Sequence, residues 1–311
     1  MSEAAEIGTG IETAAREARG RRWTREQVET AVIRVLKWIG LVFFVVATIF
    51  PFLYMLLLSV RPIADLALDP GALFVPFERL TFGTYDEVLR SVADGGQGFL
   101  SFLRNSAIIA VAAVIASLLL AIPGAYAISR LQFFGRRKVS FMFLAVYLFP
   151  AILLAIPLFV FFTRIGLRGS LIGLVIVYAS QTVPLTIHML RTYFATIPES
   201  LEESATLEGC NHFQVMRYIS IPLAAPAIMS TGLIIFMVAW NEFLFALLFL
   251  VDKRENWTVS LGLSQLASST IEVPTTVVMA GAVILTVPVI VVFFLTERLL
   301  VEGLTAGAEK G

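Results

Sequence analysis

The stretch LEESATLEGCNHFQVMRYISIP, residues Leu201–Pro222, lies between two long apolar segments of the 311-residue chain. It concentrates acidic, amide and hydroxyl side chains in a protein that is 58% hydrophobic and only 15% charged. A mean hydropathy of +0.86 is high for a soluble domain, so we expect a lipid bilayer to surround most of the chain. The polar stretch is then expected to lie in water, at a membrane surface.

Six apolar runs are long enough to cross a bilayer, since about 20 helical residues cover roughly 30 Å of hydrocarbon. The predicted spans are Ile39–Ser59, Ser106–Ile128, Val139–Phe162, Leu171–Leu190, Ala227–Leu250 and Val277–Thr296. The predicted fold class is therefore an all-α integral membrane protein with six transmembrane helices. We predict a disordered extension over 1–22, an amphipathic interfacial helix over 23–38, a membrane domain over 39–300 and a cytoplasmic tail over 301–311.

The distribution of Lys and Arg predicts the orientation of the chain, because cytoplasmic loops carry an excess of these residues. With both termini inside the cell, 15 of the 23 Lys and Arg residues lie on the cytoplasmic side and 8 on the outer side. The arrangement with both termini inside is therefore favoured. It places the opening stretch, between spans four and five, in the cytoplasm.

Several classes of protein do not fit the composition. The net charge is zero, which gives no indication of nucleic-acid binding. One cysteine and two histidines make a disulfide framework and a zinc site improbable. The sequence has no G-x-x-x-x-G-K-[ST] motif for ATP and no defensible Ser-His-Asp arrangement. The chain itself is expected to be neither an ATPase nor a hydrolase.

Residues 198–222 have the local signals of two short helices. Pro198 suits a first helical turn, and the acidic residues that follow it are favoured there by the helix dipole. Gly209 is a typical C-terminal stop. Asn211 is then a candidate cap for a second helix, with Gln214 at its third position. We expect Phe213, Met216 and Ile219 to form the apolar side of this helix and Pro222 to end it.

The same stretch resembles the coupling loop of bacterial ATP-binding-cassette importer permeases. In that family a Glu-Ala-Ala triplet is followed after three residues by Gly, and after nine more by Ile-x-Leu-Pro. The matching residues here are Glu203, Ser204, Ala205, Glu208, Gly209, Phe213, Ile219 and Pro222. Ser204 and Ile221 depart from the usual Ala and Leu, and Glu208 and Cys210 replace a usual Asp and a frequent Ala. All four are modest changes in size or chemistry.

Three further stretches resemble the carbohydrate permeases of this family, and in particular the maltose-type second permease. They are GAYAISRLQFFGRRK (Gly124–Lys138), AWNEFLFALLFL (Ala239–Leu250) and GLTAGAEKG (Gly303–Gly311). The resemblance extends from about Leu36 to the end of the chain. It leaves out the N-terminal extension.

The resemblance implies a mechanism and a set of partners. A second homologous permease, two copies of a cytosolic ATPase and an extracellular substrate-binding protein would complete the importer in the bacterial inner membrane. The loop would be a coupling helix seated on the ATPase, and ATP and Mg would bind only that subunit, with no cofactor on this chain. A second contact with the ATPase is implied for the tail residues Gly303, Thr305, Gly307 and Lys310. The implied cargo is a neutral sugar or oligosaccharide, with a maltose- or trehalose-like glucoside favoured.

Four polar residues within the predicted spans are candidates for the substrate path: Gln181, Tyr178, Asn241 and Glu242. A carboxylate in the bilayer costs about 2.5 kcal/mol or more on insertion scales, so it is expected to face protein or water. The alternative is structural, because polar side chains also link packed membrane helices by hydrogen bonds. For Asn241 and Glu242, we favour this structural alternative.

Two other functions remain open from the sequence. An importer for a polyol or glycerol-phosphate-type solute has the same architecture, although an anionic solute favours Lys or Arg in the spans, where none is found. An ion-coupled secondary transporter would rely on an intramembrane carboxylate, for which Glu242 is the only candidate in the middle of a span. Such a transporter usually shows an inverted repeat, which is not evident here.

Overall fold

The chain folds into helices, and no strand occurs among the residues that the computed structural model describes: 25–69, 76–268 and 273–308, the last eleven by their backbone alone. The main helices are α1 (Arg25–Ser59), α2 (Ile63–Leu68), α3 (Gly83–Leu89), α4 (Phe99–Arg130), α5 (Arg136–Leu148), α6 (Ala151–Arg164), α7 (Leu171–Phe194), α8 (Glu199–Leu207), α9 (His212–Leu223), α10 (Ala225–Asn241), α11 (Leu244–Leu250), α12 (Val259–Ala267) and α13 (Thr275–Ala308). The predicted all-α class is confirmed.

Four of the described helices, α1, α4, α7 and α13, are long and apolar enough to cross a membrane by themselves. Two bent pairs, α5 with α6 and α9 with α10, pass the same test together. The count is therefore four spans, or six if each bent pair is one span. The exact number of spans and their orientation remain predictions.

The third predicted span is two helices rather than one. Within the predicted span Val139–Phe162, α5 ends at Leu148 and α6 begins at Ala151, with a 91° bend between them. Pro150 lies at this junction with an extended backbone, ahead of the first turn of α6. A proline disfavours helical geometry in the residue before it, which accounts for the break.

The fifth predicted span is also interrupted. Ala227–Leu250 was expected to be one helix, but α10 ends at Asn241 and α11 starts only at Leu244. Glu242 between them has an extended backbone, with ψ of 131°. The two polar residues predicted inside a continuous helix therefore lie at a break.

The described residues fall into two units that divide between Tyr54 and Met55. α1 is one unbroken helix from Arg25 to Ser59, so the segment predicted as an interfacial helix is continuous with the first predicted span. Its apolar side chains are mostly exposed, as expected for a helix in lipid. The predicted disordered extension, 1–22, lies outside the described residues.

The second unit is built around α4 and α7, which pack side by side. Ser117 and Thr182 share a hydrogen bond of 2.8 Å in the middle of this contact. Such bonds between hydroxyls are typical of packed membrane helices. α10 packs against both helices and against α13, where the Trp240 indole donates to the Leu285 carbonyl at 3.1 Å.

Candidate functional site

The loop between α7 and α10 forms the two helices that the sequence predicts. α8 begins after Pro198 and carries Glu199 and Glu202 in its first turn. The chain reverses at Gly209, whose φ of +93° is a conformation that favours glycine. Gly209 therefore ends the first helix, as predicted.

The start of the second helix also follows the prediction. The Asn211 side chain accepts from the Gln214 backbone N–H at 3.0 Å, and the Gln214 side chain accepts from the Asn211 backbone N–H at 2.8 Å. This reciprocal pair is a capping box. Both contacts join residues three positions apart, so a local sequence pattern was sufficient to predict them.

The rest of α9 differs from the prediction. Met216–Ser220 form a π turn, which inserts one extra residue into the helical repeat and rotates the side chains that follow. Val215 and Ser220 are buried, whereas Phe213, expected on the apolar side, is 65% exposed and Ile219 is half-buried. The helix also continues past Pro222 to Leu223, and the bend of 77° into α10 follows there.

One face of the loop is exposed and mixes apolar with acidic groups. Leu207 is 90% exposed and lies close in sequence to the exposed Phe213. The predicted coupling residues Glu203, Ser204, Glu208 and Gly209 are also exposed, whereas Ala205 is buried. We call Glu203, Leu207, Glu208 and Phe213 the loop face. Large exposed apolar side chains rimmed by polar groups are typical of a protein interaction site.

α8 is fixed to the end of α4 by an ion pair. The Arg130 guanidinium contacts the Glu202 carboxylate at 3.1 Å and donates to the Ile197 carbonyl at 2.6 Å. Ser220 of α9 donates to the same Glu202 oxygen at 2.9 Å. Glu202 thereby ties α4, α8 and α9 together.

The sequence analysis used Glu202 only as one of the acidic residues near the start of the first loop helix, gave Ser220 no role of its own, and used Arg130 only as a charge near the membrane. A weak signal was available. Glu202 is an acidic residue at the position directly before the Glu-Ala-Ala triplet. The partner of Glu202 lies 72 residues away in the sequence, however, which no local pattern indicates.

A cavity of about 440 Å³ lies between α5, α6, α7, α10 and α11. Its polar lining comes from uncharged side chains: Tyr147, Ser180, Gln181, Thr182, Thr186 and Thr231. The remaining lining is apolar or aromatic, and no described residue that lines the cavity is charged. The Gln181 amide nitrogen is buried and has no hydrogen-bond partner among the described residues. A buried donor of this kind usually finds a partner, such as a ligand or a water molecule.

The other three path candidates do not line this cavity. The buried Tyr178 hydroxyl donates to Glu242 at 2.7 Å, and Glu242 in turn accepts from the backbone N–H groups of Phe245 and Ala246 at 2.9 and 3.2 Å. Glu242 therefore caps the start of α11. The Asn241 amide donates to the Met237 carbonyl of its own helix at 2.9 Å. Tyr178 and Glu242 have contacts that link and cap helices within this chain.

The C-terminal candidates are only partly described. The backbone of Gly303, Thr305 and Gly307 belongs to α13, which reaches Ala308, so the predicted tail continues the last helix over 301–308. Lys310 lies outside the described residues.

The helices and the loop together define an integral membrane protein with a two-helix loop that is anchored on one side and exposed on the other. The chain belongs to the family of binding-protein-dependent transport system inner membrane components, which it matches over residues 113–304. It is thus a permease component of the inner membrane, as the loop motif predicts.

Two similar proteins are also transport permeases. The chain is 36% identical to the inner membrane ABC transporter permease protein YcjP of Escherichia coli (strain K12), with 89% of this chain and 97% of that protein covered. It is 35% identical to the trehalose/maltose transport system permease protein MalG of Thermococcus litoralis, with 91% and 99% covered.

A solved structure has the same fold. The chain is similar, with a TM-score of 0.76 and 26% identity, to a chain of a bacterial ABC transporter involved in the import of the acidic polysaccharide alginate. The similarity covers 89% of this chain and 98% of that chain.

Proposed function

We propose that this chain is the permease through which a neutral sugar or oligosaccharide, delivered by an external binding protein, enters the cytoplasm. A second permease and two copies of an ATPase complete the transporter, and ATP and Mg bind the ATPase alone. The loop face is the seat for one ATPase subunit. Its movement reaches the membrane helices through Glu202 and Arg130, because these residues join the loop to α4.

The single observation that carries the coupling proposal is the asymmetry of the loop. The Glu202 side of α8 is held by an ion pair and hydrogen bonds, so α8 and the end of α4 are expected to move as one body. The loop face presents Leu207 and Phe213 to a partner instead of to the protein core. A lever requires both features: a rigid attachment and a free contact surface.

The test is the ATPase activity of the reconstituted transporter, with and without loaded binding protein. Glu203→Ala and Gly209→Asp are expected to abolish the stimulation by loaded binding protein and to leave only the basal rate. Glu203→Ala removes a carboxylate of the loop face. Gly209→Asp forces a side chain into the conformation at φ +93°.

The matched control for the glycine is Gly166→Asp. Gly166 also has a positive φ, +75°, and nothing lies within 4 Å of an added Cβ at either glycine. Gly166 follows α6 and lies far from the loop in the sequence. Stimulation that survives Gly209→Asp, or that is lost equally with Gly166→Asp, contradicts the coupling role.

The cavity supports the choice of a neutral sugar. Hydroxyl and amide groups match the donors and acceptors of a sugar, and aromatic side chains offer faces for its rings. A glycerol-phosphate-type solute would call for a cation, which the described lining lacks. The trehalose/maltose transport system of the relative MalG makes a glucoside the favoured cargo.

Gln181→Leu tests the cavity as part of the path. We expect a reduced rate of sugar uptake by proteoliposomes, because the amide loses its donor at nearly constant side-chain volume. Gln97→Leu, ahead of α4 and not part of the cavity lining, is the control and is expected to transport normally. Unchanged uptake with Gln181→Leu would move the path away from this cavity.

A further inference from the structure

Besides the polar loop, a group of Lys and Arg side chains lies at the end of α4, the start of α5 and the end of α7. Arg136, Arg137 and Lys138 open α5, and Arg191 lies near the end of α7. They line two adjoining pockets of about 530 and 640 Å³ that share Arg136, Arg137 and Phe141. We call these four cations and the two pockets the basic pocket.

None of the four cations of the basic pocket forms an ion pair within the described part of the chain, and no Asp or Glu is among the described residues that line the pocket. Arg136 also borders a separate cavity that is lined by Glu199, Glu202 and Glu203, whereas Arg137, Lys138 and Arg191 do not line that cavity. Other arginines of the protein do have acidic partners, as in Arg90–Asp86 and Arg168–Asp252.

Hydrogen bonds hold two of the guanidinium groups in place without cancelling their charge. Arg136 donates to the backbone carbonyls of Ile128 and Ser129 at 2.5 and 2.6 Å. Arg191 donates to the Ser140 hydroxyl at 2.6 Å. Because all three acceptors are uncharged, the positioned cations remain available to an anion.

The surroundings of the basic pocket are apolar. Ile128, Phe141 and Leu144 form part of its wall, and Phe141 is 70% exposed. Phe134, one residue before the turn into α5, is fully exposed beside the cations. Exposed aromatic and basic side chains at the end of an apolar helix are typical of the membrane interface.

We propose that the basic pocket binds the headgroup of an anionic phospholipid. The phosphate would lie among Arg136, Arg137 and Arg191, and the acyl chains would follow the exposed apolar surface of α5 from Phe141 onward. Basic pockets between transmembrane helices at the membrane surface bind anionic headgroups in this way. The apolar wall favours a lipid over free phosphate, because a lipid has acyl chains that can cover the wall and free phosphate has no apolar group.

The experiment is native mass spectrometry of the full chain in detergent, titrated with phosphatidylglycerol or with phosphatidylcholine of the same acyl chains. We expect selective retention of phosphatidylglycerol. The double variant Arg137→Gln/Arg191→Gln is expected to bind it about tenfold or more weakly, since each cation near the headgroup contributes to the attraction. The charge-conserving double variant Arg137→Lys/Arg191→Lys should retain most of the binding, which separates loss of charge from loss of fold.

The control is Arg104→Gln/Arg164→Gln, which removes two exposed arginines at helix ends remote from the basic pocket. Equal retention of phosphatidylcholine, or an equal loss of binding in this control, would overturn the proposal in favour of nonspecific lipid contact. Displacement of the lipid by equimolar inorganic phosphate would assign the pocket to a small anion instead. Loss of the lipid upon assembly with the ATPase would assign the surface to that partner. The assay uses no transport, so its outcome is independent of the proposed function.

Discussion

At the scale of single residues, Glu202 and Glu203 show how neighbours in the sequence take different roles. Glu202 is 9% exposed and its carboxylate contacts Arg130 and Ser220. Glu203 is exposed and belongs to the loop face. One turn of α8 therefore carries a buried anchor directly beside an exposed contact residue.

Glu202→Ala is expected to destabilise the protein by about 3 kcal/mol, the lower end of the range for breaking a buried ion pair, because the nearly buried Arg130 keeps only the exposed Glu199 carboxylate at 3.4 Å as an acidic partner. The measurement is the unfolding midpoint of the full chain in detergent. Glu203→Ala is the matched control and should leave the midpoint unchanged. Ser220→Ala should cost about 1 kcal/mol, the value of one hydrogen bond. A Glu202→Ala midpoint equal to that of Glu203→Ala would show that the ion pair holds nothing in place.

At the scale of helices, the break between α10 and α11 depends on Glu242. An interrupted membrane helix leaves backbone N–H groups without partners, which is costly in hydrocarbon. The Glu242 carboxylate accepts two of these N–H groups at the start of α11 and also the Tyr178 hydroxyl of α7. Two backbone N–H groups at the break therefore have an acceptor, and the break is linked to α7 by a hydrogen bond.

A double-mutant cycle measures this tie. Tyr178→Phe and Glu242→Ala should show an interaction energy of about 0.6–1.7 kcal/mol in unfolding experiments, the range known for hydrogen bonds between membrane helices. Tyr178→Phe combined with Asn241→Ala should be additive, because the Asn241 side chain donates to a carbonyl of its own helix. Additivity in both cycles would mean that Tyr178 and Glu242 do not stabilise one another.

At the scale of the whole molecule, the orientation in the membrane can be read from the single cysteine. Cys210 is partly exposed and follows Gly209 in the loop. With the loop in the cytoplasm, a membrane-impermeant maleimide should label Cys210 in inside-out vesicles and not in right-side-out vesicles. The chain is expressed without its partner subunits, so that no ATPase covers the loop.

The control places a cysteine on the other side. Glu87→Cys, at an exposed position of α3 in a Cys210→Ser background, should show the opposite labelling pattern. Labelling of Cys210 from the outside would reverse the predicted orientation and remove the loop from any cytosolic ATPase.

The sequence by itself determined the helical membrane class, the position of the polar loop, the end of its first helix and the start of its second. These features rest on long apolar runs and on residues a few positions apart, such as Gly209 and the pair Asn211–Gln214. The coupling motif could also be recognised from the sequence alone, because all of its residues lie within a single loop.

Only the tertiary structure decided the roles of Glu202 and Glu242. Their partners Arg130 and Tyr178 lie 72 and 64 residues away, and neither a propensity nor a periodicity depends on such a distance. The break at Glu242 was missed because the apolar pattern continues through it, while the capping carboxylate and its hydroxyl partner make the break stable. The cavity likewise depends on how five helices pack. Local patterns fix where helical segments lie and where the short loop helices begin, whereas contacts between helices fix the break at Glu242 and the role of each polar side chain.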